Sequence, residues 1–437
     1  MKRSIFLVLL CMVSLITQAQ QISFEVTPDT SLYHHPVKML AKGFEPGEKV
    51  TFELEATDAA NHQWQSWAEF EADVNGEVNP AYQPSVDGTY TGIHAMGLFW
   101  SMETEDYHQI ATGSGFTANI KVLRKGKVVA TQSIYRRSTR ELEALGIQYI
   151  KKRDSIIADI YLPEGSEKLP AIIFLGGSGG HFRQERASLF ASEGYAVLNL
   201  KYFRFEGLPD GIIEIPLEYV AKAHDWLKAH PRIDADNIGI MGRSMGSELA
   251  LLYGAHYDGL SYVLAEAPSS VVWFGWQDGT SSFAYKGKGF PYAEYTDEDS
   301  ERIQREIEAK GEQFQEAPKF LSAFKNEAMI EKASILVENI QCPVLFVSGK
   351  DDLTWPSTMM ADRMMERLRR SHFKYPFKHL AYDEAGHNFA GGGQGCGIPY
   401  LPPEDYSNSS AKGGTDKGNA LAAAQSWQAI LDFIRPQ

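Results

Sequence analysis

Ser244 lies in Ile238-Gly239-Ile240-Met241-Gly242-Arg243-Ser244-Met245-Gly246-Ser247, where an apolar strand pattern meets a Gly-x-Ser-x-Gly turn and the start of an apolar-periodic helix. A serine hydroxyl is a poor nucleophile at neutral pH unless a base takes its proton and an acid holds that base in the right tautomer. A sharp strand-to-helix turn presents the hydroxyl, and Gly242 and Gly246 remove side chains that would obstruct such a turn. The five-residue pattern alone arises by chance. Its place between strand and helix favours a nucleophile elbow over a structural serine in a glycine turn.

The partners of such a serine should follow it in the order acid, then base. Val344-Leu345-Phe346-Val347-Ser348-Gly349-Lys350-Asp351-Asp352 reads as an apolar strand that delivers carboxylates at its C-terminal end. Asp352, three residues beyond Gly349, is the preferred acid, with Asp351 the alternative. Of the twelve histidines, only His387 follows a strand that itself follows the acid-bearing strand, so it is the expected base. Asp383 and Glu384, near it in sequence, read as solvated turn residues. An acyl-transfer site also needs donors for a developing oxyanion. The backbone N–H of Met245 should supply one, and Gly177 or Ser178 in the loop Gly176-Gly177-Ser178-Gly179-Gly180 the other. That loop lacks the Gly-Lys-Ser/Thr ending of a phosphate cradle.

These residues need a rigid scaffold, and the hydrophobic pattern supplies one. Residues 22 to about 135 alternate in the manner of half-buried strands: Val50, Phe52 and Leu54 share one face, and charged residues share the other. Turn signals such as Asn75-Gly76 separate the short runs, and a β-sandwich of immunoglobulin-like type is expected. Beyond residue 155 the apolar runs become continuous and alternate with helical stretches, the pattern of a mostly parallel sheet covered on both faces. Helices are expected at 184–192, 216–230, 247–255, 358–370 and 419–434. The expected divisions are a signal segment at 1–19, the sandwich at 20–140 and a catalytic domain at 141–437. Within the last, residues 269–335 form a cap-like insertion, whose Trp273, Phe274 and Trp276 are candidate substrate contacts.

Composition narrows the partners. A formal charge of −14, with no basic cluster to reverse it locally, excludes nucleic acid and anionic membrane surfaces. Lys2 and Arg3, the apolar run from Ile5 to Ile16 and Thr17-Gln18-Ala19 form the pattern of a secretory signal cleaved near Ala19. That run is too short for a permanent membrane anchor. The expectation is an exported, periplasmic or secreted protein acting on a small-molecule acyl substrate, without metal or cofactor. Cys342 and Cys396 are expected to remain free, because they fall at opposite ends of the sheet.

Several segments resemble the acyl-CoA thioesterase / bile acid-CoA:amino acid N-acyltransferase family. They are Asp87-Gly88-Thr89-Tyr90-Thr91-Gly92, Ala95-Met96-Gly97-Leu98-Phe99-Trp100, Gly194-Tyr195-Ala196-Val197, Leu217-Glu218-Tyr219, Gly349-Lys350-Asp351-Asp352, Ala385-Gly386-His387 and Ala420-Leu421-Ala422 with Trp427. The resemblance implies an immunoglobulin-like domain followed by an α/β-hydrolase domain. It also implies that Ser244, Asp352 and His387 are nucleophile, acid and base. The amino-acid-transferring branch uses cysteine as nucleophile, so serine implies hydrolysis of an ester or thioester. Transfer of the acyl group to an amino acid and a non-catalytic binding protein are the alternatives.

Overall fold

A computed structural model of the chain describes residues 21–105, 110, 111, 113–182, 184–311, 315–389, 397 and 412–436. The expected signal segment and Cys396 lie outside the described residues. Runs without polar side chains must be buried on both faces, and the main sheet obeys this. Its strands are β1 (Ile147–Arg153), β2 (Ile157–Pro163), β3 (Leu169–Leu175), β4 (Ala196–Lys201), β5 (Ile233–Arg243), β6 (Val263–Glu266), β7 (Val344–Gly349) and β8 (Phe377–Tyr382). Their spatial order is β1-β2-β4-β3-β5-β6-β7-β8. β1 and β2 pair antiparallel with each other, and β2 antiparallel with β4; the remaining pairs are parallel.

Alternate residues of each strand feed two separate cores. Ile173, Leu175, Ile240, Ala265 and Phe346 point to one face, and Ile172, Phe174, Met241, Leu264 and Val347 to the other. Helices α2 (Leu217–Ala229), α3 (Met245–His256) and α7 (Ser357–Arg370) cover the first face, whereas α1 (Gln184–Ser192) and α8 (Asp416–Ile434) cover the second. The stretch 269–335 adds α4 (Asp297–Ala309), α5 (Ala317–Ala323) and α6 (Glu327–Ala333). Strand order reverses around β3, so the loops after β3 and β5 open beside one another, where sites form in such sheets.

The N-terminal part consists of two sheets over one further core. One sheet has strands at Ser23–Thr27, Lys38–Lys42 and Glu77–Val78. The other runs in the order Thr30–Leu32, Lys127–Arg137, Phe116–Arg124, Lys49–Thr57, Gln63–Glu71 and Asp87–Gly88. Val50, Phe52 and Leu54 are wholly buried between these sheets. Two features depart from the expectations. A short helix, Gly97–Trp100, sits among the strands with all four residues buried. Arg136, a charged residue of the strand Lys127–Arg137, is fully buried, donates to the carbonyls of Tyr33 and His35, and lies over the Phe99 ring. Cys342 is buried and in no disulfide.

Candidate active site

β5 ends at Arg243 and α3 begins at Met245, which leaves Ser244 alone at the turn with φ 55° and ψ −126°. That conformation costs a non-glycine residue on the order of 1–3 kcal/mol, so the surroundings must impose it. They do so through hydrogen bonds. The Ser244 N–H donates to the Glu266 carbonyl at 2.9 Å, and the Ser244 carbonyl accepts from the Ser247 hydroxyl at 2.6 Å. The flanking glycines are required by space: a Cβ on Gly242 would sit 1.9 Å from the Gly246 oxygen, and one on Gly246 would sit 2.4 Å from the Leu175 and Gly176 oxygens.

The turn brings Ser244 to the two residues expected beside it. The Ser244 Oγ lies 3.0 Å from His387 Nε2, and His387 Nδ1 lies 2.8 Å from Asp352 Oδ2. A carboxylate can only accept, so Nδ1–H donates to Asp352 and Nε2 is left to accept the Ser244 hydroxyl proton. All three side chains are buried. Burial holds the His387 imidazole below its usual range; the Asp352 charge opposes that shift and the Arg243 guanidinium adds to it. The imidazole is therefore held in its neutral form at pH 7, the form that can accept a proton.

Further residues hold this chain in place. Asp352 Oδ2 also accepts the Ser357 hydroxyl at 2.6 Å, and Oδ1 accepts the Thr354 and Trp355 N–H groups at 3.0 and 3.2 Å. Trp355 stands edge-on to the His387 ring at 5.9 Å and donates its indole N–H to the Ala267 carbonyl. The Arg243 guanidinium donates to the His387 carbonyl at 2.9 Å and to Asn388 Oδ1. Asn419 of α8 accepts the Gly386 N–H at 2.9 Å. Sequence reasoning missed these supports. Arg243, Trp355, Ser357 and Asn388 lie within five residues of an assigned member, whereas Asn419 is more than thirty positions from any.

Of the expected oxyanion donors, Gly177 packs against Ser244: a Cβ there would lie 3.1 Å from Ser244 Cβ. Tyr202 fixes this loop by donating its hydroxyl to the Gly176 carbonyl at 2.6 Å. Ser178, the next residue, is exposed. Met245 opens α3, so its N–H lies among those without a carbonyl partner inside the helix and at the positive end of its dipole. Asp351 is exposed, as are Asp383, which pairs with Lys350 at 2.6 Å, and Glu384.

The three aromatic candidates separate. Trp273 is buried and donates its indole N–H to Ser269 Oγ at 2.9 Å. It lies 4.7 Å from Phe320 of α5, which lies 5.9 Å from Trp355, so a row of rings connects it to His387. Phe274 is half-buried and packs edge-on against Tyr295. Trp276 is exposed, against Phe203 and beneath the Arg204 guanidinium. The start of α5 is tied to the acid loop, because the Glu316 and Ala317 N–H groups both donate to the Leu353 carbonyl. A cavity of about 1050 Å³, lined in part by α5 and α7, reaches Asp352 and Ser357, and Ser244 is not among its lining residues.

Similarity to known families and proteins bears on this arrangement. The family model described as "BAAT / Acyl-CoA thioester hydrolase C terminal" matches residues 215–437, and that described as "Acyl-CoA thioester hydrolase/BAAT N-terminal region" matches 34–145. A third, "BD-FAE", matches 158–268. The chain is 27% identical to the mitochondrial acyl-coenzyme A thioesterase 2 of Mus musculus over 427 residues, covering 93% of this chain and 87% of that protein. It is 28% identical to the acyl-coenzyme A amino acid N-acyltransferase 1 of the same species over 425 residues, covering 94% and 96%.

Proposed function

We propose, for a chain that belongs to the BAAT / acyl-CoA thioester hydrolase family, that it is an exported serine hydrolase cleaving an ester or thioester of an apolar acyl group. Ser244 attacks the acyl carbonyl while His387 Nε2 takes its proton. The Met245 N–H and the Gly177–Ser178 backbone hold the oxyanion. Collapse expels the alcohol or thiol, which takes the proton back from His387 and leaves an ester on Ser244. Water, deprotonated by the same imidazole, then releases the acid. Asp352 fixes the tautomer throughout. The observation that carries this reading is the buried hydrogen-bond chain from Ser244 through His387 to Asp352.

Acyl-CoA thioesters are the substrate class suggested by the relatives' names. The N-terminal basic and apolar pattern of residues 1–19 points to export, and outside the cytoplasm other thioesters and esters compete for that place. The test is a panel of aryl esters, acyl-CoAs and bile-acid conjugates, offered to the purified chain and to Ser244→Ala. Turnover on at least one class, abolished in Ser244→Ala, is expected; activity that survives the substitution refutes the reading. Similarity to an acyl-coenzyme A amino acid N-acyltransferase favours a second reading, transfer to an amine. Product analysis with glycine or taurine present separates the two, since hydrolysis yields only the free acid.

A further inference from the structure

We propose that His34, His35 and Glu193 form a binding site for a divalent transition metal, Zn²⁺ being the best match, that ties the N-terminal β region to the α/β domain. The two histidines follow the strand Thr30–Leu32, and Glu193 follows the last residue of α1, so the donors come from opposite sides of the junction. One donor atom from each residue lies within 4.8 Å of the other two. Glu193 Oε1 is 3.1 Å from His35 Nε2 and 3.7 Å from His34 Nε2. Ligands bound to tetrahedral zinc at about 2.0–2.1 Å stand roughly 3.3 Å apart, so these two separations already bracket the edge of such a site.

A second observation points to a ligand. The His34 side chain is 1% exposed, yet neither ring nitrogen has a hydrogen-bond partner. A buried imidazole nitrogen left in that state keeps its desolvation cost uncompensated, and a metal bond relieves this at Nε2. The ring cannot turn freely to find water. It is packed against Tyr33, His35 and Trp427 at centroid distances of 6.4, 4.2 and 5.8 Å. Its backbone is pinned on either side by the Arg136 guanidinium, which donates to the Tyr33 and His35 carbonyls at 2.7 Å each.

The donor set selects the ion. Two imidazoles and one carboxylate suit zinc and its neighbours, whereas calcium and magnesium prefer all-oxygen shells. The His35 side chain is 45% exposed and that of Glu193 26%, so an ion can enter from solvent and keep a water as its fourth ligand. The competing account is an ordinary ion-pair cluster in which Glu193 serves both imidazoles; its carboxylate is at hydrogen-bond distance from His35, 3.1 Å, but not from His34, 3.7 Å.

The experiment uses the full chain without an affinity tag, stripped with a chelator and dialysed. Zinc content, competition titration against a chromogenic chelator and the visible absorption of added Co²⁺ are measured for the chain and for His35→Ala and Glu193→Gln. Both substitutions are at partly exposed side chains, so folding is checked simply by circular dichroism. The proposal expects one equivalent of zinc with Kd below about 10 μM, the intense Co²⁺ bands of a tetrahedral or five-coordinate site, and at least about a tenfold loss of affinity in each variant, consistent with losing one of three ligands. Binding weaker than that limit, or binding that survives either substitution, overturns it. Zinc should also raise the melting temperature of the chain and not that of the variants, a response independent of Ser244 chemistry.

Discussion

Replacing Asp352 by Asn is the sharpest structural perturbation of the proposed mechanism, because it changes a single atom type while preserving shape. The amide oxygen can keep the two backbone N–H groups that now bond Oδ1, from Thr354 and Trp355. The amide NH₂ then occupies the place of Oδ2, 2.8 Å from His387 Nδ1. Two donors cannot face each other, so the imidazole must present its lone pair at Nδ1 and carry its proton on Nε2. Nε2 then points an N–H at the Ser244 oxygen, 3.0 Å away, and has nothing with which to accept the hydroxyl proton. The wrong tautomer in such a triad lowers kcat by about 10⁴, which corresponds to roughly 5.5 kcal/mol at 1.36 kcal/mol per factor of ten. The loss should appear in kcat on a chromogenic ester, with KM and the circular dichroism spectrum little changed. Asp351→Asn, at an exposed neighbour, should stay within about twofold, as surface changes usually do. A loss under about tenfold for Asp352→Asn, or a larger one for Asp351→Asn, would show that His387 is oriented by some other group.

Further outcomes follow from the same geometry. Since burial lowers the His387 pKa and only its neutral form can accept a proton, kcat/KM should rise with pH through a midpoint below 6.5 and then level off; a midpoint above 7 contradicts this placement. Ser357→Ala removes one hydrogen bond to Asp352 Oδ2 and should lower kcat by about 10- to 150-fold, the equivalent of the 1.5–3 kcal/mol of a bond to a charged group; an unchanged kcat refutes that role. Glu248, wholly buried in α3, has its carboxyl pushed up from 4.5 to about 8 by burial. A raised carboxyl favours the fold below pH 4.5 and loses that contribution as pH climbs towards 8, by roughly 5 kcal/mol at most. Glu248→Gln should therefore flatten the fall in denaturation midpoint between pH 5 and pH 8, and an unaltered fall would place the titration elsewhere.

Much of the scaffold was legible because its cause is local. Ala196–Leu198 of β4 and Val263–Ala265 of β6 are continuous apolar runs, and the 3.6-residue period of α7 is plain in the sequence, so burial on two faces and on one could each be read directly. β1 was not, because Ile147–Arg153 alternates with Lys151, Lys152 and Arg153 on the exposed edge of the sheet and resembles a linker. The burial of Arg136 was not legible for another reason: its partners are backbone carbonyls at Tyr33 and His35, over 100 positions away, which no local pattern announces. The candidate site divides in the same way. Ser244, Asp352 and His387 fall at strand ends in a readable order, whereas Tyr202, Trp355 and Asn419 act through contacts that only folding creates. The aromatic run after β6 was read as one surface, yet Trp273 turns inward to Ser269 and Trp276 outward beside Phe203.

The most direct measurement of the central claim is the site of covalent labelling by a fluorophosphonate, which reacts only with a serine whose proton is being removed. Peptide mass mapping of the labelled chain should find a single adduct, on Ser244, formed at a rate that falls in parallel with kcat in Asp352→Asn. No adduct, an adduct elsewhere, or labelling that persists in Ser244→Ala would contradict a nucleophile at this turn.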